Sequence, residues 1–252
     1  MTTSTETLYD DASQDWKRSQ PLLLSDFTAR PFLLDWCEPV SERAVLDLGC
    51  GEGYFARKLA QRGAGRIEGM DLSSEMIARA REQEAEQPLG IRYNVGDAPK
   101  LDRFESTSFD LVVAVFLFNY LSLEATTAAM AEIFRVLRPG GCFVFAVPHP
   151  SLPFLRAEEP PFYFVREGAG YFSGRNRSFE GRIDRLDGVS VPVRCIHKTL
   201  ADYFGSLSAA GFCTMPEVEE LGVTKEILDV DPEWFRPLED QPLHLAFRVE
   251  KS

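Results

Sequence analysis

Long apolar runs are missing from this 252-residue chain. No stretch approaches the roughly 18–20 apolar residues that a membrane-spanning helix requires. Met1 to Asp11 is polar and acidic, with no basic region leading into an apolar core, so no secretory signal is expected. Cysteine is sparse and odd in number: five residues, at 37, 50, 142, 195 and 213, with no Cys-x-x-Cys pair. That spacing suits neither a disulfide framework nor a structural zinc site. The expectation is reduced thiols, no metal and a cytoplasmic location. Positive charge is short as well. The net charge is −12, and the densest basic stretch, Arg175 to Arg185, is interrupted by Glu180 and Asp184. Enzymes of nucleic acids usually present a basic face, so DNA and RNA are disfavoured as substrates.

Hydrophobic residues make up 44% of the chain, ample for the core of one α/β domain with elaborations. The most informative stretch is Val45-Leu46-Asp47-Leu48-Gly49-Cys50-Gly51-Glu52-Gly53. It reads as a buried strand breaking into a loop with glycine at alternate positions. A helical pattern, Tyr54 to Arg62, follows at once. Glycine there lets the backbone turn sharply and lets a ligand lie close against it. A strand, glycine loop and helix in this order bind nucleotide-like cofactors at the carboxyl end of a parallel sheet. A dinucleotide fingerprint would need a third glycine at position 54, which is Tyr. A phosphate-binding P-loop would need Lys-Ser or Lys-Thr after the loop, and neither is present.

Three further segments follow in order. Arg66 to Asp71 reads as a second strand ending in an acid, 18 residues beyond Gly53. A carboxylate at that place can accept both ribose hydroxyls of a nucleoside. Ser73 caps a helix running to about Gln87, stopped by Pro88. Ile91 to Ala98 is a third strand ending in Gly96-Asp97-Ala98. Phe109 to Phe116 is a fourth, and Val136 to Phe145 is a helix end, a Pro-Gly-Gly turn and a fifth strand. With Asp47 two residues before Gly49, the loop reads D-x-G-x-G-x-G. These motifs resemble the class I S-adenosylmethionine-dependent methyltransferases, in their small-molecule branch. The likeness is strong over residues 44–147 and looser over 196–250. It implies a Rossmann-like, doubly wound α/β sheet, mostly parallel with an antiparallel edge strand. It also implies methyl transfer from S-adenosylmethionine, leaving S-adenosylhomocysteine, to a small-molecule acceptor at O, N or C. A non-methylating enzyme on the same scaffold, using the bound cofactor structurally or electrostatically, remains the alternative.

The resemblance assigns cofactor binding to Asp47, Gly49, Cys50, Gly51, Gly53, Asp71, Leu72, Met76, Asp97, Ala98 and Phe116. It places Asp47 near the cofactor's ammonium group, directly or through water, and Asp97 on the adenine amino group; from the residues alone, Asp47 is equally read as orienting the loop through backbone N–H groups. At Cys50 the backbone, rather than the thiol, is expected to matter. Residues 1–43 read as an N-terminal helical cap, with helices around Tyr9 to Trp16 and from Phe27 to Cys37. Tyr9 either folds over the cofactor or packs on the sheet edge, and Trp16 is read as packing. Residues 44–252 are the core. Within it, 150–195 is an inserted lid with β-structure: seven aromatics fall between Ser151 and Glu180, and Asp187-Gly188 signals a hairpin. Most of those aromatics are expected to fill the lid's own small core.

Candidate substrate contacts are Tyr9, Tyr120, Phe164, Tyr171 and His197. His149, in Pro148-His149-Pro150 beyond the fifth strand, is either a general base or a structural group. Its reference pKa of about 6.5 suits proton transfer near neutral pH. Asn119 takes a place where similar proteins often have His; it cannot act as a base but can hold the acceptor. Together His149 and Asn119 are the catalytic candidates. His197 is also compatible with orienting the lid. His244 falls on what reads as the wetter face of the strand Pro242 to Glu250 and is expected to stand apart from the site. The oligomeric state is not legible.

Overall fold

The computed structural model describes Thr7, Trp16 and residues 20–252. Its main sheet has seven strands in the order β3-β2-β1-β4-β5-β10-β9. These are β1 (Ala44–Leu48), β2 (Arg66–Asp71), β3 (Arg92–Val95), β4 (Phe109–Val115), β5 (Leu137–Pro148), β9 (Glu217–Leu221) and β10 (His244–Glu250). Strands β1 to β5 pair in parallel, while β10 runs antiparallel to both β5 and β9. The order reverses between β1 and β4, so a crevice opens above their carboxyl ends, where such sheets bind ligands.

The sequence explains why the central strands lie inside. AVLDL in β1 is buried at every position, and FDLVVAV in β4 nearly so, as expected where helices cover both faces of a parallel sheet. One face packs Leu46, Val112, Phe143, Phe145 and Phe247 into a core. The other packs Val45, Phe55, Leu111, Val113 and Val144. Helix Ser74–Glu86 is capped by Ser73, whose hydroxyl accepts the Met76 N–H at 3.1 Å. Helix Leu123–Val136 is capped by Ser122 in the same way. Thr199 and Asp202 form a capping box at helix Leu200–Ala210. The helix expected from Phe27 to Cys37 is two: Leu24–Thr28 and Arg30–Trp36. Pro31 lies in the first turn of the second, where its missing N–H costs nothing.

A second sheet of three antiparallel strands, β6 (Phe162–Phe164), β7 (Ser178–Asp184) and β8 (Ser190–Ile196), occupies the insertion. The hairpin turns at Asp187-Gly188, with Gly188 at φ 85°. Phe162, Phe164, Phe179, Val191 and Val193 form its core together with Leu23, Leu24, Phe235 and Leu243. The insertion therefore packs on both the N-terminal helices and the segment before β10.

Two boundaries differ from the sequence reading. The sequence from Phe212 to Glu219 reads as a strand, yet β9 begins only at Glu217, because Phe212 is drawn into the core against Phe134 and Phe143. β10 has no wet face at its start: His244, Leu245, Ala246 and Phe247 are all buried. The strand lies between β5 and β9, and both of its faces are covered.

Candidate active site

Gly49, Gly51 and Gly53 all have positive φ, at 75°, 55° and 85°. A side chain on Gly49 would meet Leu117 at 3.0 Å, and one on Gly53 would meet the Tyr93 hydroxyl at 2.4 Å. A side chain on Gly51 would meet nothing within 4 Å, because it would enter the cavity above the sheet. Asp71, at the end of β2, braces this loop. Its Oδ2 accepts the Gly51 N–H at 2.8 Å, and its Oδ1 accepts the Ser73 N–H at 3.0 Å. Glu52 turns away from solvent and pairs with Arg57 at 2.8 Å.

The cavity runs from this loop to the underside of the insertion. It is lined on one side by Asp47, Gly49, Cys50, Gly51, Asp71, Leu72, Met76, Asp97 and Ala98. On the other side stand Phe116, Asn119, Tyr120, Pro148, Phe162, Phe164, Ile183, Val193 and His244. Of the expected cofactor residues, Gly53 alone is not in the lining; its conformation and its contact with Tyr93 shape the turn instead. Asn119, Tyr120 and Phe164 also line the cavity. Tyr9 lies outside the described residues.

Three expected residues do not reach the cavity. His149 is turned toward the sheet edge. Its Nε2 lies 2.8 Å from Glu220 Oε1 on β9, and its Nδ1 accepts the Ser151 N–H at 3.1 Å. Both ring nitrogens are engaged, and burial pushes its pKa below the ordinary 6.5 against the pull of Glu220. The position after β5 was informative, but the side-chain direction is set by the β9 partner. His197 belongs to the insertion's own packing: its Nε2 lies 2.8 Å from the Tyr171 carbonyl, and its ring stacks on Phe179. Tyr171 packs on Phe154 and His197, and its hydroxyl accepts the Leu200 N–H at 3.1 Å.

Several lining residues escaped the sequence reading. Trp16, read as packing, reaches the cavity. Arg30, from the N-terminal helices, donates to Asp26 at 3.1 Å and to Ser25. Its guanidinium lies 5.3 Å from the centre of the Phe116 ring. The signal available for it was a lone cation, the only Lys or Arg between Arg18 and Arg43. Phe116 itself has φ 61°, a strained conformation for an aromatic residue, placed where β4 meets the cavity. His244, expected to stand apart, lines the cavity; its ring packs edge-on to Phe116 with centroids 4.9 Å apart.

Three buried side-chain atoms of the described lining residues lack a hydrogen-bond partner: Asp47 Oδ2, Asn119 Oδ1 and His244 Nδ1. Burial raises the Asp47 pKa from the ordinary 3.8 to about 7, with Arg30 opposing the rise. Burial, then the nearby charge of Arg30, lowers that of His244 to about 3.

A family described as a methyltransferase domain matches residues 45–141, the segment carrying the glycine loop and the acids after β2 and β3. A solved S-adenosylmethionine-dependent methyltransferase from Mesorhizobium loti is 28% identical, with a TM-score of 0.66 over 87% of this chain and 96% of that one. The chain belongs to the class I S-adenosylmethionine-dependent methyltransferases. Its cofactor is S-adenosylmethionine. An uncharacterised Haemophilus influenzae protein is 26% identical over 93% of this chain and 91% of its own length. The Deinococcus radiodurans demethylmenaquinone methyltransferase is 39% identical, but the match spans only 41% of this chain and 42% of that enzyme. The methyltransferase-domain match, residues 45–141, ends before the three-stranded insertion begins. No helix among the described residues is long and apolar enough to cross a membrane.

Proposed function

We propose that this methyltransferase acts on a small-molecule acceptor enclosed between the sheet's carboxyl end and the three-stranded insertion, residues 150–195. The observation that carries the reading is the single cavity joining the glycine loop to the apolar underside formed by Phe162, Phe164, Ile183 and Val193. An apolar chamber beside a polar cofactor cleft suits a small molecule. Named relatives agree in kind: the Deinococcus radiodurans enzyme is a demethylmenaquinone methyltransferase, and an Azoarcus one is a ubiquinone biosynthesis O-methyltransferase.

The residues fit the cofactor. The unpartnered Asp47 Oδ2 suits its ammonium group, and the Asp71 carboxylate at the end of β2 stands where ribose hydroxyls would lie. Asp97 and Ala98 suit the adenine edge, with Leu72 and Met76 against the nucleoside. The space at Gly51 lets the chain pass close to the amino-acid part. When bound, the cofactor would supply an electrophilic methyl on a sulfonium. The protein's part is alignment and exclusion of water. Phe116, the Asn119–Tyr120 turn and the insertion surround the acceptor. With His149 turned to Glu220 outside the cavity, neither proton removal nor positioning of the acceptor is assigned to it.

The test is release of S-adenosylhomocysteine in the presence of a panel of phenols, amines and stabilised carbon acids. A variant with 150–195 replaced by a short linker should bind cofactor but release none. Full turnover by that variant on the same acceptor would reject the enclosed-acceptor reading.

A further inference from the structure

The hydrogen bonds around His244 fix its tautomer. Thr28 has one hydroxyl hydrogen, and it goes to the Leu24 carbonyl at 2.9 Å. The contact between Thr28 Oγ1 and His244 Nε2, also 2.9 Å, must therefore be donated by the imidazole N–H. The neutral ring then carries its lone pair on Nδ1, the atom left without a partner. His244 is 1% exposed and stands between Phe116 and Phe162, both of which line the cavity with it.

Asn119 repeats the pattern. Its Nδ2 faces the Arg194 carbonyl at 3.5 Å, an acceptor, which sets the amide with Oδ1 unpartnered. On the acceptor side of the cavity the orphaned buried atoms are thus both hydrogen-bond acceptors, set among apolar groups. A buried acceptor left unsatisfied carries a desolvation cost that a bound donor removes. A bound acceptor of hydrogen bonds would add repulsion instead.

We infer that the methyl acceptor is a mainly apolar molecule presenting an O–H or N–H group, and that His244 holds this group through the lone pair on Nδ1. The inference rests on the small-molecule reading above and adds to it the sign of the hydrogen bond. His244 serves as a positioning residue. The neighbouring charge of Arg30, the ring of His149 and the surrounding apolar groups all oppose a second proton on the imidazole, so it holds the donor without taking its proton.

The experiment uses the full chain saturated with S-adenosylhomocysteine, which blocks transfer. Two probes of nearly one shape are compared by ligand-observed NMR: 2-naphthol, which donates, and 2-fluoronaphthalene, which cannot. The wild type should bind 2-naphthol about tenfold or more tightly than 2-fluoronaphthalene. His244→Phe should bring the ratio near one and leave S-adenosylhomocysteine affinity unchanged. Thr28→Val leaves the ring in place but removes what fixes its tautomer, and should lower the ratio; it decides the matter if His244→Phe fails to fold. Equal binding of the probes by the wild type, or a ratio unmoved by the variants, would overturn the inference alone. Binding of neither probe would overturn it together with the small-molecule reading.

Discussion

The Asp71 carboxylate accepts the backbone N–H of Gly51 at 2.8 Å, so the acid at the end of β2 holds the loop that follows β1. Its other oxygen accepts the Ser73 N–H at the start of the next helix. One side chain thereby fixes both walls of the cofactor cleft. Asp71→Ala should weaken S-adenosylhomocysteine binding by about 1.5–3 kcal/mol, the scale for hydrogen bonds to a charged group. It should also lower the thermal midpoint, because two backbone donors lose their acceptor. Calorimetric titration beside a melting curve checks both; unchanged affinity would reject the assignment of Asp71 to the cofactor.

The glycines of the loop should separate stability from binding. Gly53→Ala places a methyl 2.4 Å from the Tyr93 hydroxyl at a residue with φ 85°, so the loop must shift and stability should fall by about 2–3 kcal/mol. Gly51→Ala meets nothing within 4 Å, and only the positive φ of 55° opposes it, for about 1 kcal/mol. Its methyl enters the cavity, so it should lose more cofactor affinity than stability. Denaturant midpoints and binding isotherms of the two variants give the comparison, and an equal loss of stability in both would contradict it.

His149→Ala should leave the chemical rate and its pH profile close to those of the wild type, because the ring is held by Glu220 and Ser151 outside the cavity. The cost should fall on stability, at about 1–2 kcal/mol for the lost bonds joining the end of β5 to β9. A hundredfold fall in single-turnover rate with the fold intact would restore the histidine to the reaction.

These outcomes mark what the residues reveal in order and what they do not. The glycine loop, Asp71 and Asp97 are legible because turn chemistry is local: strand, positive-φ glycines and a capped helix follow one another in the chain. The Asp187-Gly188 hairpin is legible for the same reason. His244 and Arg30 are not, because their places depend on contacts across the fold. The alternation in β10 reads as one dry face and one wet, but β9 on its far side and Phe116 and Phe162 near its start bury both. His149 lies at the expected end of the sheet, yet a strand reached 71 residues later decides where its ring points.

Asp47 joins stability to cofactor binding, and pH separates them. The group is buried, one oxygen has no partner, and its pKa rises from the ordinary 3.8 to about 7. Between those values the folded chain holds a proton that the unfolded chain has released. Its contribution to stability is therefore full below about pH 4 and is lost as pH rises through about 7. An ammonium group beside the carboxylate favours the opposite state, since it pairs only with the ionised form. The cofactor should then bind more tightly above pH 7 than at pH 5.5, and binding at the lower pH should release a proton. Asp47→Asn should remove this dependence. It should raise the thermal midpoint of the cofactor-free protein at pH 8, where the wild type carries a buried charge whose desolvation Arg30 and the Ala56 N–H offset only in part. It should also weaken S-adenosylhomocysteine binding at pH 8 by about tenfold or more, through loss of a charged hydrogen bond. Calorimetry in buffers of different ionisation enthalpy measures the proton release directly. A pH-independent affinity in the wild type, or a lower midpoint in Asp47→Asn at pH 8, would show that Asp47 orients the loop and does not meet the ammonium group.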